Sequence, residues 1–259
     1  MHTRFLAAAL FILVGAFMSP ASAQSTKPTI VLVHGAFAES SSWNGVVAEL
    51  LAAGYPVVAA ANPLRGVKSD ADYVAGIVKT IKGPVVLVGH SYGGSVITNV
   101  NEGNVKALVY VSAFSLDQGE TSFGMADRFP GATLGAALAE PVTLSNGGKD
   151  LYIQQDKFAE QFAADVPVRE ARLAAATQRP IAEAAGGERS GVPTWKSVPS
   201  WHVYGDADKN IPPAAMKFMA ERAGSKETVV LKGASHVSMV SHPKEVAAII
   251  RRAAATIGM

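Results

Sequence analysis

The stretch Pro84-Val85-Val86-Leu87-Val88-Gly89-His90-Ser91-Tyr92-Gly93-Gly94-Ser95-Val96-Ile97 leaves this chain few ways to fold. Val85 to Val88 are apolar and three of the four are β-branched, so they read as a short strand buried on both faces. A Gly-x-Ser-x-Gly turn follows at once, and then a helical run. Strand, tight turn and helix in that order are the setting of a nucleophile elbow. Ser91 at the tip of such a turn carries an exposed hydroxyl, with the next backbone N–H, that of Tyr92, directed toward an incoming carbonyl. Gly89 and Gly93 remove Cβ atoms that would collide where strand and helix come so close. The competing reading is a glycine-rich connection in which Ser91 only caps the helix.

The flanking sequence repeats the same rhythm. Thr29 to Val33 reads as a buried strand leading into His34-Gly35-Ala36-Phe37. Trp43, Val46, Val47, Leu50 and Leu51 have helical spacing, ended at Gly54. Tyr55 to Ala60 is a further strand, and Ser69-x-x-Asp72 is a capping-box variant ahead of a helix over Tyr73 to Ile81. Strands at Val105 to Phe114, Ser200 to Gly205 and Thr228 to Leu231 continue the series, with helices over Pro213 to Ala223 and Lys244 to Thr256. This alternation predicts an α/β fold with a mostly parallel central sheet and helices on both faces. Residues from about 115 to 199 break the rhythm. They carry Gly and Pro breaks, short helical patterns and the aromatics Phe123, Phe129, Tyr152, Phe158, Phe162 and Trp195. That is too long for a plain connection, so an inserted helical lid is expected within a single domain, 24–259.

Ahead of that domain, Arg4, the apolar run Phe5 to Met18 and Ala21-Ser22-Ala23 match the three regions of a signal peptide, 1–23, cleaved after Ala23. The run is shorter than the ~20 residues a spanning helix needs. Export to the periplasm or medium is expected, with no stable membrane anchor. The chain has no cysteine, which excludes disulfides and thiolate chemistry. Its net charge of +2 is too small and scattered to imply nucleic acid as a partner. No His or carboxylate pair has metal-ligand spacing, and no phosphate-cradling loop follows Gly93-Gly94, so neither metal nor cofactor is expected.

A serine hydroxyl needs a base to take its proton, and the base needs an orienting acid. His34 and His90 read as braces for their turns, His202 as a strand residue, and His242 as part of the start of a helix. His236 lies in the loop after the last strand. In a parallel sheet that loop shares one edge with the elbow, so topology selects His236 as the base. The acid belongs on the same edge, where the turn after Tyr204 offers both Asp206 and Asp208. The pocket is expected to be apolar, built from insert aromatics together with Phe37, Phe114 and Met239.

Four motifs in order, His34-Gly35-Ala36, Gly89-His90-Ser91-Tyr92-Gly93, Gly205 to Pro212 and Ser235-His236, give the chain its resemblance to the α/β-hydrolase superfamily over residues 28 to 258. The resemblance implies that Asp208 is the acid, and that the N–H groups of Ala36 and Tyr92 form an oxyanion hole. Within the superfamily the chain resembles the small cofactor-free serine esterases, the plant methylesterases and their hydroxynitrile-lyase relatives. The lyases carry a lysine after the catalytic histidine, where this chain has Val237. The resemblance therefore implies a serine hydrolase acting on small-molecule carboxylic esters. Alternatives are non-hydrolytic use of the same triad, as in a perhydrolase or lyase, or a relative that binds ligand without turnover.

Overall fold

The computed structural model describes residues 27–257. The expected signal peptide, 1–23, lies outside the described residues. Six strands form a wholly parallel sheet: β1 (Thr29–Val33), β2 (Val57–Ala60), β3 (Val85–His90), β4 (Val105–Val111), β8 (Ser200–Gly205) and β9 (Thr228–Leu231), in the order β2-β1-β3-β4-β8-β9. Every residue of β3 and β8 is buried. Successive strand side chains point to opposite faces, so both faces of the sheet are covered there. Each fully buried Val or Leu in these strands contributes about 1.5–3 kcal/mol relative to exposure.

Helices α1 (Asn44–Ala52) and α11 (Pro243–Ala255) pack on one another, and α11 also on β3, β4 and β8. Helices α2 (Val67–Thr80) and α3 (Tyr92–Thr98) form a second pair, with α3 against β1, β3 and β4. Helix α9 (Pro213–Arg222) packs on β8, and the short α10 (Ser238–Ser241) follows β9. The chain leaves β1 for β2 on one side and then returns to β3 on the other. The order therefore reverses between β1 and β3, and loops diverging from such a switch point leave a crevice beyond the strand C-termini. Ser91 stands at that point.

Strands β4 and β8 are neighbours in the sheet, yet 112–199 intervene in the chain. This insert holds helices α4 (Ser122–Asp127), α5 (Leu134–Ala137), α6 (Gln155–Phe162), α7 (Val168–Thr177) and α8 (Glu183–Gly187). It also holds an antiparallel sheet of β5 (Val142–Thr143), β6 (Lys149–Leu151) and β7 (Ile181–Ala182), which sequence pattern does not reveal because two of its strands have only two residues.

The start of α2 differs from the expected capping box. The helix begins six residues earlier than its pattern suggests, at Val67 rather than Tyr73, and Ser69 and Asp72 lie within it. Asp72 pairs with Lys68 at 2.6 Å one turn back. The free N–H groups of Val67 and Lys68 instead donate to the carboxylate of Glu188, in the insert, at 2.7 and 3.2 Å. An anion from a distant segment thus does what a local cap does elsewhere.

Candidate active site

Ser91 has φ 53° and ψ −125°, a conformation that L side chains rarely adopt. Such strain costs of order 1–3 kcal/mol and persists only where surrounding contacts enforce it. The enforcing contacts lie on both sides. The Ser91 N–H donates to the carbonyls of Val111 and Ser112, at 3.3 and 3.2 Å, and its carbonyl accepts from Gly94 and Phe114 at 2.9 and 3.2 Å. A Cβ on Gly89 would stand 2.5 Å from the Gly93 carbonyl oxygen, so the elbow closes only with glycine there. Just after it, the Tyr92 hydroxyl donates to buried Asp70 at 2.9 Å, which ties α3 to α2. Burial pushes the Asp70 carboxyl above its usual range and the Tyr92 phenol well above its own.

The turn after β1 presses against this elbow. A Cβ on Gly35 would lie 2.6 Å from the Ser91 Cβ and 2.7 Å from the His90 carbonyl oxygen. His34 braces the turn: its Nε2 accepts from the Asn62 N–H at 3.1 Å, so Nδ1 carries the proton and donates to the Gly35 carbonyl at 3.0 Å. Burial lowers the His34 pKa, which keeps it in that neutral form. The N–H of Phe37 donates to the Arg179 carbonyl at 2.9 Å. The N–H groups of Ala36 and Tyr92 have no protein acceptor among the described residues.

The loops after β8 and β9 give different partners to the two aspartates of the turn after Tyr204, of which the resemblance implied Asp208. Asp206 accepts from the Gly233 N–H at 2.6 Å, which pins one loop to the other. Asp208 uses Oδ1 to accept from the N–H groups of Asn210 and Ile211, at 2.8 and 3.0 Å, and its Oδ2 meets His236 Nδ1 at 2.7 Å. This pair is wholly buried. A carboxylate at Nδ1 selects the tautomer with the proton on that nitrogen and leaves Nε2 as the acceptor. The His90 ring lies 4.8 Å from the His236 ring and donates from Nε2 to the His236 carbonyl at 3.1 Å. Burial first, and the neighbouring imidazole second, hold the His90 pKa well below its ordinary value. His202 is likewise a sheet residue, between the Ser115 and Ser225 hydroxyls, with its pKa lowered by burial to about 3.

Ser91, His236, Ala36, Tyr92, Phe37 and Phe114 all border one cavity of about 60 Å³. Its remaining lining is mainly apolar and comes largely from the insert. Met239, expected in this lining, is not part of it: the side chain is fully buried in the core at the start of α10. Its pattern position could not distinguish a wall of the pocket from the packing beneath it. Among the insert aromatics, Phe123 and Phe162 reach the cavity, and the Phe162 ring packs tilted against His236, with centroids 5.1 Å apart. Phe129 packs on Phe218 instead, and Trp195 hydrogen-bonds the Leu116 carbonyl. A crevice of about 330 Å³ adjoins through Phe37 and Phe162, and another of about 780 Å³ through Phe123, Leu134 and Asn210. Sequence reasoning did not single out Asn210, which no motif marks as facing the cavity. Among the described residues no three His, Asp or Glu side chains are grouped as a metal ion requires.

A model of the alpha/beta hydrolase family matches residues 30–249. Polyneuridine aldehyde esterase of Rauvolfia serpentina is 23% identical over 253 residues, covering 88% of this chain and 96% of that protein. Salicylic acid-binding protein 2 of Nicotiana tabacum is 25% identical over 248 residues, covering 84% and 94%. Among solved structures, polyneuridine aldehyde esterase superposes with a TM-score of 0.75 at 20% identity, over 87% of this chain and 98% of that one. A pyrethroid hydrolase from Sphingobium faniae JZ-2 superposes with a TM-score of 0.70 at 22% identity, over 89% and 98%.

Proposed function

The chain belongs to the alpha/beta hydrolase family, and from that premise we propose that it is a serine esterase cleaving small carboxylic esters through an acyl-enzyme on Ser91. The observation that carries the reading is the buried His236–Asp208 pair, 2.7 Å apart, whose His236 borders the same cavity as a serine held in a strained turn. His236 Nε2 takes the Ser91 proton as the hydroxyl oxygen attacks the ester carbonyl carbon. Asp208 holds the imidazole in the tautomer that can accept it and stabilises the imidazolium that forms. The oxyanion of the tetrahedral intermediate accepts from the unengaged N–H groups of Ala36 and Tyr92. One such preorganised donor is worth about 3 kcal/mol in the transition state. Collapse breaks the bond to the alcohol, which leaves with the proton from His236. Water, deprotonated by the same imidazole, then releases the acid and restores Ser91.

Relatives named as esterases and hydrolases support the reaction class. Val237, in place of the lyases' lysine, supports hydrolysis over cyanohydrin cleavage, because no ammonium stands there to receive cyanide. The leader-like residues 1–23 support export, which N-terminal sequencing of secreted protein tests: a chain beginning at Gln24 is expected, and one beginning at Met1 refutes it. The function itself is tested with Ser91→Ala on p-nitrophenyl acetate. A loss of at least ~1,000-fold with unchanged circular dichroism is expected. Near-normal turnover in that variant ends the reading.

A further inference from the structure

Among the described residues four non-glycine residues have a positive φ. Two of them, Ser91 and Ser112, meet at the elbow, where the Ser91 N–H donates to the Ser112 carbonyl. The other two are Phe37 in the turn after β1 and Leu64 in the loop after β2, at φ 61° and 60°. Large side chains rarely take that conformation, and it persists only where neighbours enforce it. For both, the neighbour is one segment of the insert, 179–182. The Phe37 N–H donates to the Arg179 carbonyl at 2.9 Å, and the Leu64 carbonyl accepts from the Ala182 N–H at 3.0 Å.

This strap is tied to the body of the insert behind it. Gln178 Oε1 accepts from the Ile153 N–H and its Nε2 donates to the Ile153 carbonyl, each at 2.9 Å, while β7 pairs with β6. In front, Arg65 donates to the Pro180 carbonyl at 3.1 Å, and the Arg179 guanidinium meets both carboxylate oxygens of Glu39 at 2.9 and 3.2 Å. Arg179 therefore holds the turn after β1 at two points, Phe37 and Glu39. The Phe37 ring adds a third contact with the insert, edge-on to Phe162 of α6 with centroids 6.1 Å apart. Ala36 lies between this clasp and Gly35, which is pressed against the elbow. Its N–H is thus set by the sheet rim on one side and by the insert on the other.

We propose that Arg179 is a positioning residue for the oxyanion hole. By clasping Phe37 and Glu39 it keeps the turn in the strained form in which the Ala36 N–H is aimed at the oxyanion. Arg179 does not border the Ser91 cavity and acts through Ala36. Released, Phe37 would relax to a negative φ and swing the adjoining donor away. Seating of the insert and readiness of the donor are then one event. The proposal rests on the esterase reading for what the Ala36 N–H does.

The test compares wild type with Arg179→Ala, which removes the guanidinium and leaves the carbonyl on a loosened strap. On p-nitrophenyl acetate kcat is expected to fall about 10- to 100-fold with KM within about twofold, the mark of an interaction made only in the transition state. The ion pair is partly exposed and contributes little to stability, so the thermal midpoint is expected within a few degrees of wild type. Inhibition by 1,1,1-trifluorohexan-2-one reads the donor directly. Ser91 Oγ bonds to its carbonyl carbon, the proton passes to His236 Nε2, and the carbonyl oxygen becomes an oxyanion. The inhibition constant is expected to rise by the factor by which kcat falls. Partial unfolding would reduce the number of active sites and leave that constant unchanged, which overturns the proposal. Glu39→Ala is expected to reproduce the loss, and joining it to Arg179→Ala to add less than about twofold, because both break one contact. Losses that multiply overturn the proposal. Hydrogen exchange of residues 34–42, read by mass spectrometry, needs no turnover: it is expected to quicken in Arg179→Ala while the sheet strands stay protected. Unchanged exchange there also overturns the proposal. If wild type hydrolyses no ester, the esterase reading fails, and the exchange result still decides whether the insert holds the turn.

Discussion

The cavity at Ser91 is walled by two regions of the molecule built on different terms. On one side is the rim of the parallel sheet, where each polar side chain is fixed by backbone hydrogen bonds: Ser91 by four, Asp208 by the N–H groups of Asn210 and Ile211, and His34 by its own turn and Asn62. On the other side is the insert, which offers mostly apolar walls and is held at its periphery by half-exposed charges. Arg179 clasps Glu39 at 2.9 and 3.2 Å, Arg65 meets Asp150 at 2.7 Å, and Glu188 covers the start of α2. Charges of that exposure contribute little each. The rim is therefore suited to hold reacting groups in place, and the insert to decide what fits against them. The two are not independent, since the turn carrying Ala36 is fastened at Phe37 to the insert's Arg179 carbonyl.

If the rim is where chemistry is fixed, a change there that preserves shape will affect rate far more than stability. Asp208→Asn retains volume but favours the wrong imidazole tautomer, and kcat is expected to fall by about 10,000-fold. Thermal unfolding within a few degrees of wild type distinguishes this from collapse of the loop. A loss under tenfold would place the acid elsewhere and dissolve the contrast.

The two regions also differ in their response to acid. The insert, 112–199, contains no histidine, whereas His34, His90 and His202 are buried in the sheet unit with lowered pKa values. For His202 the folded value of about 3 lies below the unfolded value of about 6.5, so the unfolded chain binds the extra proton between them. Stability is then fully present above about pH 6.5 and is lost as pH falls toward 3, by up to about 1.4 kcal/mol per pH unit from this group. Denaturant titration of His202→Gln across that window should give a shallower pH slope than wild type. Hydrogen exchange should show the sheet unit loosening at low pH before the insert does. Equal slopes in the two proteins would remove His202 from the account.

The smallest effect tests the insert's attachment. Glu188→Gln removes an anion from the N-terminus of α2 while keeping a hydrogen-bond acceptor. It is expected to cost about 0.3–1 kcal/mol in denaturant unfolding, with the loss reduced at high salt. A cost of several kcal/mol would mean that the insert is locked on rather than lightly clasped.

Sequence pattern was informative where structure is local. β1, β8 and β9 fall on the expected residues because each is a short apolar run bounded by turn residues, and β3 starts where expected but runs two residues further, to His90. The elbow followed from spacing, since a strand running straight into a helix through one residue requires small neighbours on either side. The insert was legible only as an interruption. Its three-stranded sheet, and Glu188 reaching the start of α2, depend on residues far apart in the chain, and no periodicity encodes them.

By itself, the order of residues determined the parallel sheet, the tip on which Ser91 sits, and the edge on which His236 had to lie, because these follow from alternation and from the fixed direction of parallel strands. Only the tertiary structure showed that Asp206 ties the two loops together while Asp208 meets His236, and it moved Met239 from the pocket into the core. Those outcomes turn on a few ångströms and on which hydrogen bond each oxygen and nitrogen already makes. Distances of that kind are set by the packing of distant segments.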